Sequence, residues 1–167
     1  MSEVAVKLKR VRAFLKAHQL GGAVFASRGN FAWLSAGGDG HVVSQSEAAF
    51  GALIVTPSKA ILLANEIEMP RYQGEEHMAD FAAKTHPWTV SMAEAIAKIT
   101  GRSKKPFVGD DPQTGLAPLP GDFYEACRAQ LTEEEQRRYR SLGRDCSLAL
   151  ETVARSMNVG DSGFQVE

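Results

Sequence analysis

The chain has two cysteines in 167 residues, Cys127 and Cys146, too few for a disulfide scaffold and without the spacing of a metal knuckle. It lacks an excess of either charge sign: nineteen basic residues face twenty acidic ones. The short "TEEEQRRYR" segment is the densest run, so a dedicated nucleic-acid binder is excluded. No apolar run approaches the roughly 20 residues that span a bilayer. The start, "MSEVAVKLKRVRAF", is charged and lacks the apolar segment and cleavage site of a secretory signal. Together these absences fit a reduced, cytoplasmic setting without nucleic-acid or membrane partners. What is present is ordinary globular composition, 44% apolar and 23% charged, in a chain long enough to bury a core.

Helical and strand periods alternate. Val4, Leu8, Val11 and Leu15 recur at helical spacing and predict a first amphipathic helix ended by Gly21 and Gly22. "GAVFAS" reads as a buried strand. In "RGNFAWLSAGGDGH", Asn30 is placed to cap a short helix carrying Phe31, Trp33 and Leu34, with a glycine-rich loop behind it. "AAFGALIVT" and "AILLAN", separated by "PSK", predict a β-hairpin. "EIEMPRYQGEEH" reads as helix and "DFAAKTH" as strand. "SMAEAIAKIT" reads as a helix with a Ser91/Glu94 capping box and an end at Gly101, and "KPFVGDD" as a last strand. The expected class is α/β, with a mixed β-sheet flanked by helices.

Composition changes at "DDPQTGLAPLPGD", read as a connector. Past it come a short helix, "FYEACRAQ", and the longest helical signal, "LTEEEQRRYRSLGRDCSLALETVARSM". Thr132 and Glu135 there form a capping box, and Glu133 and Glu134 lie four residues before Arg137 and Arg138. Tyr139, Leu142, Cys146, Ala149, Val153 and Met157 make one apolar stripe, and about 25 helical residues reach about 37 Å. The closing "NVGDSGFQVE" has turn and capping residues that introduce almost no further chain, which leaves open whether the sequence is a whole protein or a fragment.

This order resembles the N-terminal region of aminopeptidase P, prolidase and creatinase, the "pita-bread" metallohydrolases. The most specific matching stretches are "NFAWLSAGG" and the "LTEEE" helix running to "VGDS". The resemblance implies a ribonuclease-H-like, non-catalytic creatinase-type N-terminal domain at 1–130. It also implies the first helix and turn of a truncated catalytic domain at 131–167. For the parent it implies an X-prolyl aminopeptidase or prolidase activity with two divalent metal ions (Mn, Co or Zn), held by two aspartates, a histidine and two glutamates downstream. This chain would carry no catalytic residue, metal ligand or cofactor. Peptide substrate would be met only through the missing domain, and the chain's own work would be homo-oligomer contacts, a dimer first, and substrate gating. Two alternatives stay open: a stand-alone binding or assembly module, and a fragment of a creatinase-like C–N hydrolase.

Taken singly, most of the chemistry-bearing residues suit plain roles. His18, His41, His77 and His86 are scattered and lack metal spacing. Asp110 and Asp111, before Pro112, suit turn and cap roles. "GGDGH" is no phosphate loop, no GxSxG elbow occurs, and the cysteines read as inert, half-buried thiols. In the resembling family the N-terminal domain overhangs an active site. That gives two gating candidates, Trp33 for apolar or proline-like rings and Arg71 for a substrate carboxylate. Against these stand plainer roles, Trp33 as core filler beside Phe31 and Leu34, and Arg71 paired with Glu68 or Glu75.

Overall fold

The computed structural model describes every residue except His77 and Glu167, with Gln165 and Val166 described by backbone alone. The chain divides into two compact units, Met1–Gln130 and Leu131–Glu167.

In the first unit, Ser2 caps helix α1 (Glu3–Ala17), whose apolar face Val4, Leu8, Val11 and Leu15 is buried as the periodicity requires. The helix ends before the glycine pair, because Gln19 supplies the left-handed turn at φ 56°. Gly21 and Gly22 serve close packing instead. A Cβ on Gly22 would lie 2.3 Å from the Phe107 ring and 2.7 Å from the Val55 carbonyl oxygen. Strand β1 (Gly22–Ser27) comes next, then helix α2 (Arg28–Leu34). Its cap is Ser27, whose Oγ accepts from the Asn30 N–H, so Asn30 sits in the first turn and its side chain is released for longer-range work.

The hairpin forms as expected: β2 (Ala48–Val55) and β3 (Ala60–Asn65) pair antiparallel with Val55 opposite Ala60. Asn65 Oδ1 then accepts from the Ile67 and Glu68 N–H groups, turning the chain into a short helix α3 (Met69–Gly74). Strand β4 (Ala82–His86) returns parallel to β3. Helix α4 (Met92–Thr100) carries the complete Ser91/Glu94 capping box, and those hydrogen bonds to Ser91 lower the Glu94 carboxyl pKa below its ordinary value. Strand β5 (Phe107–Gly109) lies parallel to β1.

The segment read as a connector belongs to the domain. Asp111 caps a 3₁₀ turn, Pro112–Thr114, Gly115 closes it at φ 67°, and Ala117–Pro118 adds an edge strand, β6, beside β5. A proline is tolerated there because an edge strand has one side without ladder partners. The sheet order is β4-β3-β2-β1-β5-β6, with β2 alone running against the others. This is the mixed, ribonuclease-H-like sheet that the resemblance implied. One face buries α1 side chains with Phe25, Leu53, Leu62 and Phe123, and the other buries Ala95 and Ile96 of α4 against Val24, Ile54 and Leu63. The "FYEACRAQ" helix is a π turn, Tyr124–Arg128, in which the Ala129 N–H donates to the Tyr124 carbonyl.

In the second unit, Thr132 and Glu135 form the expected capping box of helix α5 (Glu133–Ser156), whose 24 residues extend about 36 Å. Arg137 pairs with Glu134 and Arg155 with Glu151. Tyr139, Leu142, Cys146 and Val153 of its apolar stripe are exposed. A turn closed by Asn158 and Asp161 leads to the four-residue helix α6 (Gly163–Val166).

The two kinds of glycine are separable by substitution. Gly22→Ala is expected to cost about 1–3 kcal/mol through overpacking against backbone and ring atoms. Gly29→Ala, in α2 with nothing within 4 Å of the new Cβ, is expected to stabilise by about 0.5 kcal/mol. Urea unfolding of both variants measures the difference, and equal effects would contradict the packing account.

Candidate functional site

The carboxyl ends of β1 and β5 meet at one carboxylate. Asp110 Oδ1 accepts from the Ala26 and Ser27 N–H groups at 2.7 and 3.1 Å, and Oδ2 from Ser27 Oγ at 2.6 Å and Asn30 Nδ2 at 2.8 Å. All four donors lie on β1 and the first turn of α2. Its oxygens are therefore engaged as acceptors, and Asp110 is a clamp rather than an available base. Next to it, Gln113 Nε2 donates to the Ala26 and Ala49 carbonyls, bridging β1 and β2 where their register shifts. Asp111 accepts from the Gln113 N–H, the cap role its position before Pro112 suggested.

Asn30 extends the network outward. Its Oδ1 accepts from Arg128 Nη1 at 2.8 Å, and the Arg128 guanidinium lies 5.6 Å from the Trp33 ring centre and 5.7 Å from that of Tyr124. Arg10 of α1 completes the π turn by donating to the Cys127 and Gln130 carbonyls, the acceptors a helix end leaves open.

Trp33, one of the two gating candidates, is 8% exposed and belongs to the core cluster. Its ring meets Phe123 edge-on at 6.1 Å, with Lys7 Nζ 5.5 Å from its centre. Lys7 is itself buried, held at 2.5 Å by both Glu3 and the Trp33 carbonyl. The indole Nε1 is enclosed without a hydrogen-bond partner.

Arg71 stands elsewhere, on α3. Its Nε donates to Glu68 at 3.2 Å, and its Nη1 to the Asp39 carbonyl at 3.0 Å and Glu76 at 3.4 Å. The second carboxylate is thus Glu76 and not Glu75. Burial works against its charge, but the Glu68 hydrogen bond and the surrounding charges prevail and raise its pKa above the ordinary value. The guanidinium stacks on Tyr72, 4.6 Å from the ring centre, and its Nη2 is left without a partner of good geometry. Burial likewise raises the pKa of Tyr72, which keeps it a neutral phenol. Trp33 and Arg71 belong to separate networks, on α2 and α3.

The remaining sequence candidates are dispersed. His18 meets Asp122 at 3.0 Å, His41 lies in the loop after α2, His86 ends β4, and His77 lies outside the described residues. Among the described residues no group of three or more His, Cys, Asp or Glu could hold a metal ion, so the two-metal ligand set implied by the resemblance does not fit them. No helix among them is long and apolar enough to cross a membrane. The thiols are not half-buried: Cys127 is buried and Cys146 exposed. Sequence reading missed Gln113, Arg128 and Arg10 altogether. Their partners lie 64 to 120 positions away, where no local pattern reaches.

Asp110→Asn turns one of the two acceptor oxygens into a donor that faces two of the four donors. It is expected to cost about 1–3 kcal/mol in urea unfolding, and an unchanged midpoint would refute the clamp. Burial pushes the Cys127 thiol up to about 11 from its ordinary 9.0, with Arg10 opposing slightly. Because the folded value is the higher one, this contribution to stability is full below pH 9 and is lost as pH rises towards 11. Relative to Cys127→Ala, the parent chain is expected to lose stability over that window, and parallel pH profiles would contradict it.

The family described as the creatinase/prolidase N-terminal domain matches residues 7–142. No curated protein matches the sequence. Among solved structures, dipeptidase PepE from Mycobacterium ulcerans superposes with a TM-score of 0.73 at 15% identity, over 98% of this chain and 47% of that one. Recombinant prolidase from Thermococcus sibiricus gives 0.70 at 13% identity, over 99% and 47%. The Xaa-Pro dipeptidase from Bacillus anthracis gives 0.65 at 11% identity, over 98% and 46%. The chain thus spans about half the length of the structures it matches, and these likenesses show the fold. With the family match covering most of its length, the chain belongs to the creatinase/prolidase N-terminal domain family.

Proposed function

We propose that this chain is the non-catalytic N-terminal part of an X-prolyl aminopeptidase- or prolidase-like metallopeptidase, with residues 1–130 forming the N-terminal domain and 131–167 opening the catalytic one. The observation that carries the reading is the family match over 7–142, with near-complete overlap onto about half of several dipeptidase chains. In this reading the two divalent metals and the bond cleavage before proline belong to residues beyond 167, and the whole protein is cytoplasmic. The chain's own contribution is contact with a second copy and shaping of the substrate entrance.

Arg71 is supported as a gating residue by a side chain that stays 25% exposed and keeps its charge beside Glu68 and Glu76. Trp33, 8% exposed, keeps its place as the aromatic gating candidate on the family resemblance alone. The exposed apolar stripe of α5 supports a further contact surface for the second copy.

Coding sequence past codon 167 tests the reading directly. It is expected to continue into a region with two aspartates, one histidine and two glutamates as metal ligands, and a stop codon there would overturn the enzyme assignment. In the active protein, Arg71→Lys is expected to raise KM for an X-Pro dipeptide about tenfold with kcat nearly unchanged. Loss of kcat alone, or no effect, would remove Arg71 from the entrance. Sedimentation of the 167-residue chain is expected to give a dimer that Leu142→Arg converts to monomer, and a monomeric parent chain would count against the contact role.

A further inference from the structure

The two edges of the sheet are built differently. β6 ends it with two residues, one of them a proline, the kind of blunting that keeps an edge from joining another chain. β4, at the other edge, has five residues, no proline and an unbroken register against β3. Its outward row of N–H and C=O groups has no strand partner among the described residues. Ala82, Ala83, Lys84 and Thr85 are exposed on both faces, whereas the neighbouring β3 is buried from Ile61 to Ala64. A strand in a parallel ladder is ordinarily covered on both faces, so β4 is the part of this sheet that lacks its cover.

The side chains of β4 select what can join it. Ala82, Lys84 and His86 stand on the α4 face, level with Ile61, Leu63 and Asn65. Ala83 and Thr85 stand on the α1 face, level with Leu62 and Ala64. The two small alanines leave the backbone open to close approach. Two copies joined at this edge about a two-fold axis pair antiparallel. Centred on Lys84, that pairing sets Lys84 directly against its own copy, which like charges oppose. Centred on Ala83, it sets Lys84 opposite the partner's Ala82, with the partner's Asp80 as its diagonal neighbour. The partner's Asp80 also stands level with His86. Asp80, in the turn leading into β4, and Lys84 are both exposed, so this register brings opposite charges together on each side of the axis.

We infer that β4 is a contact surface for a second copy of this chain, the two β4 strands pairing antiparallel about a two-fold axis at Ala83 and joining two six-stranded sheets into one. A pairing of one edge with itself is closed and stops at two copies. The pairing rests on the second-copy contact of the reading above, and gives it a surface on the sheet distinct from the α5 stripe. Five residues a side put it in the weak class of interfaces.

The Leu142→Arg chain, in which the α5 contact is removed, isolates this one. Its sedimentation at rising concentration is expected to show monomer giving way to dimer, with a dissociation constant on the order of 100 μM. Lys84→Glu, at an exposed position, is expected to weaken that association about tenfold, and Asp80→Lys added to it is expected to restore it. Cysteines read the register, in a chain whose exposed Cys146 is replaced by serine. Ala83→Cys is expected to cross-link the dimer on copper–phenanthroline oxidation, because its two copies stand about 5 Å apart across the axis. Lys84→Cys is expected to stay uncross-linked, because its copies stand about 8 Å apart, beyond disulfide reach. Cross-linking at 84 as strong as at 83, or association indifferent to Lys84→Glu, would overturn the inference. So would a Leu142→Arg chain that is monomeric at every concentration, which would leave the edge to a segment of another protein. If the parent chain is then still a dimer, the second-copy reading stands and only β4 is removed from it.

Discussion

The Asp110 carboxylate holds together what the sheet alone leaves loose. β5 is three residues long and pairs with β1 over three positions, a short ladder on which to hang the second half of the first unit. One residue past it, a single charged group accepts two backbone N–H groups, a hydroxyl and an amide from the β1–α2 junction. Hydrogen bonds to a charged acceptor are worth roughly 1.5–3 kcal/mol each when their geometry holds, more than neutral ladder bonds. The clamp joins positions 80 or more residues apart, which makes β1, α2 and β5 a single element. From there Asn30 passes the constraint to Arg128, and Arg128 to the π turn under Trp33.

The face around Trp33 follows the same logic with opposite charge. Lys7 is buried in an apolar layer, a placement that is costly unless the ammonium is paired and hydrogen-bonded. Glu3, one turn back on α1, and the carbonyl of Trp33 meet that need, and in doing so they fix α1 against the end of α2. Trp33 thereby sits between two cations, Lys7 and Arg128, with its ring edge on Phe123. A residue that looks like core filler by burial is also the point where polar networks from α1, α2 and the π turn converge.

Much of the fold was legible, because the features that specify it are local. The hairpin, β1, the α4 capping box and the α5 capping box all depend on residues within a few positions of one another, and all formed where the pattern placed them. The errors share one cause. A glycine pair after a helix resembles a helix stop, yet Gly21 and Gly22 are small because Phe107 and Val55 press against them. Asn30 resembles a cap, but Ser27 took that role and freed Asn30 to bridge Asp110 and Arg128. A proline-rich run resembles a linker, but Asp111 and Gln113 tie it to the sheet. In each case a distant partner decided between two uses of the same residue type.

That rule also separates the candidate sites. The Arg71–Glu68 pair was legible within its own helix, one turn apart, but the enclosure of Arg71 under Asp39 and Glu76 comes from loops the periodicity does not order. A crevice at the carboxyl edge of the sheet, with Phe50, Asn65 and His86 in its lining, was invisible to sequence reading for a stricter reason. Phe50, Asn65 and His86 are each unremarkable in their own strands, and they become neighbours only through the register of two ladders, one antiparallel and one parallel. A one-residue slip in either ladder would send one of them to the opposite face of the sheet. The hairpin and the parallel ladder beside it therefore fix a register, and it is the register that assembles a concave surface from residues no motif connects.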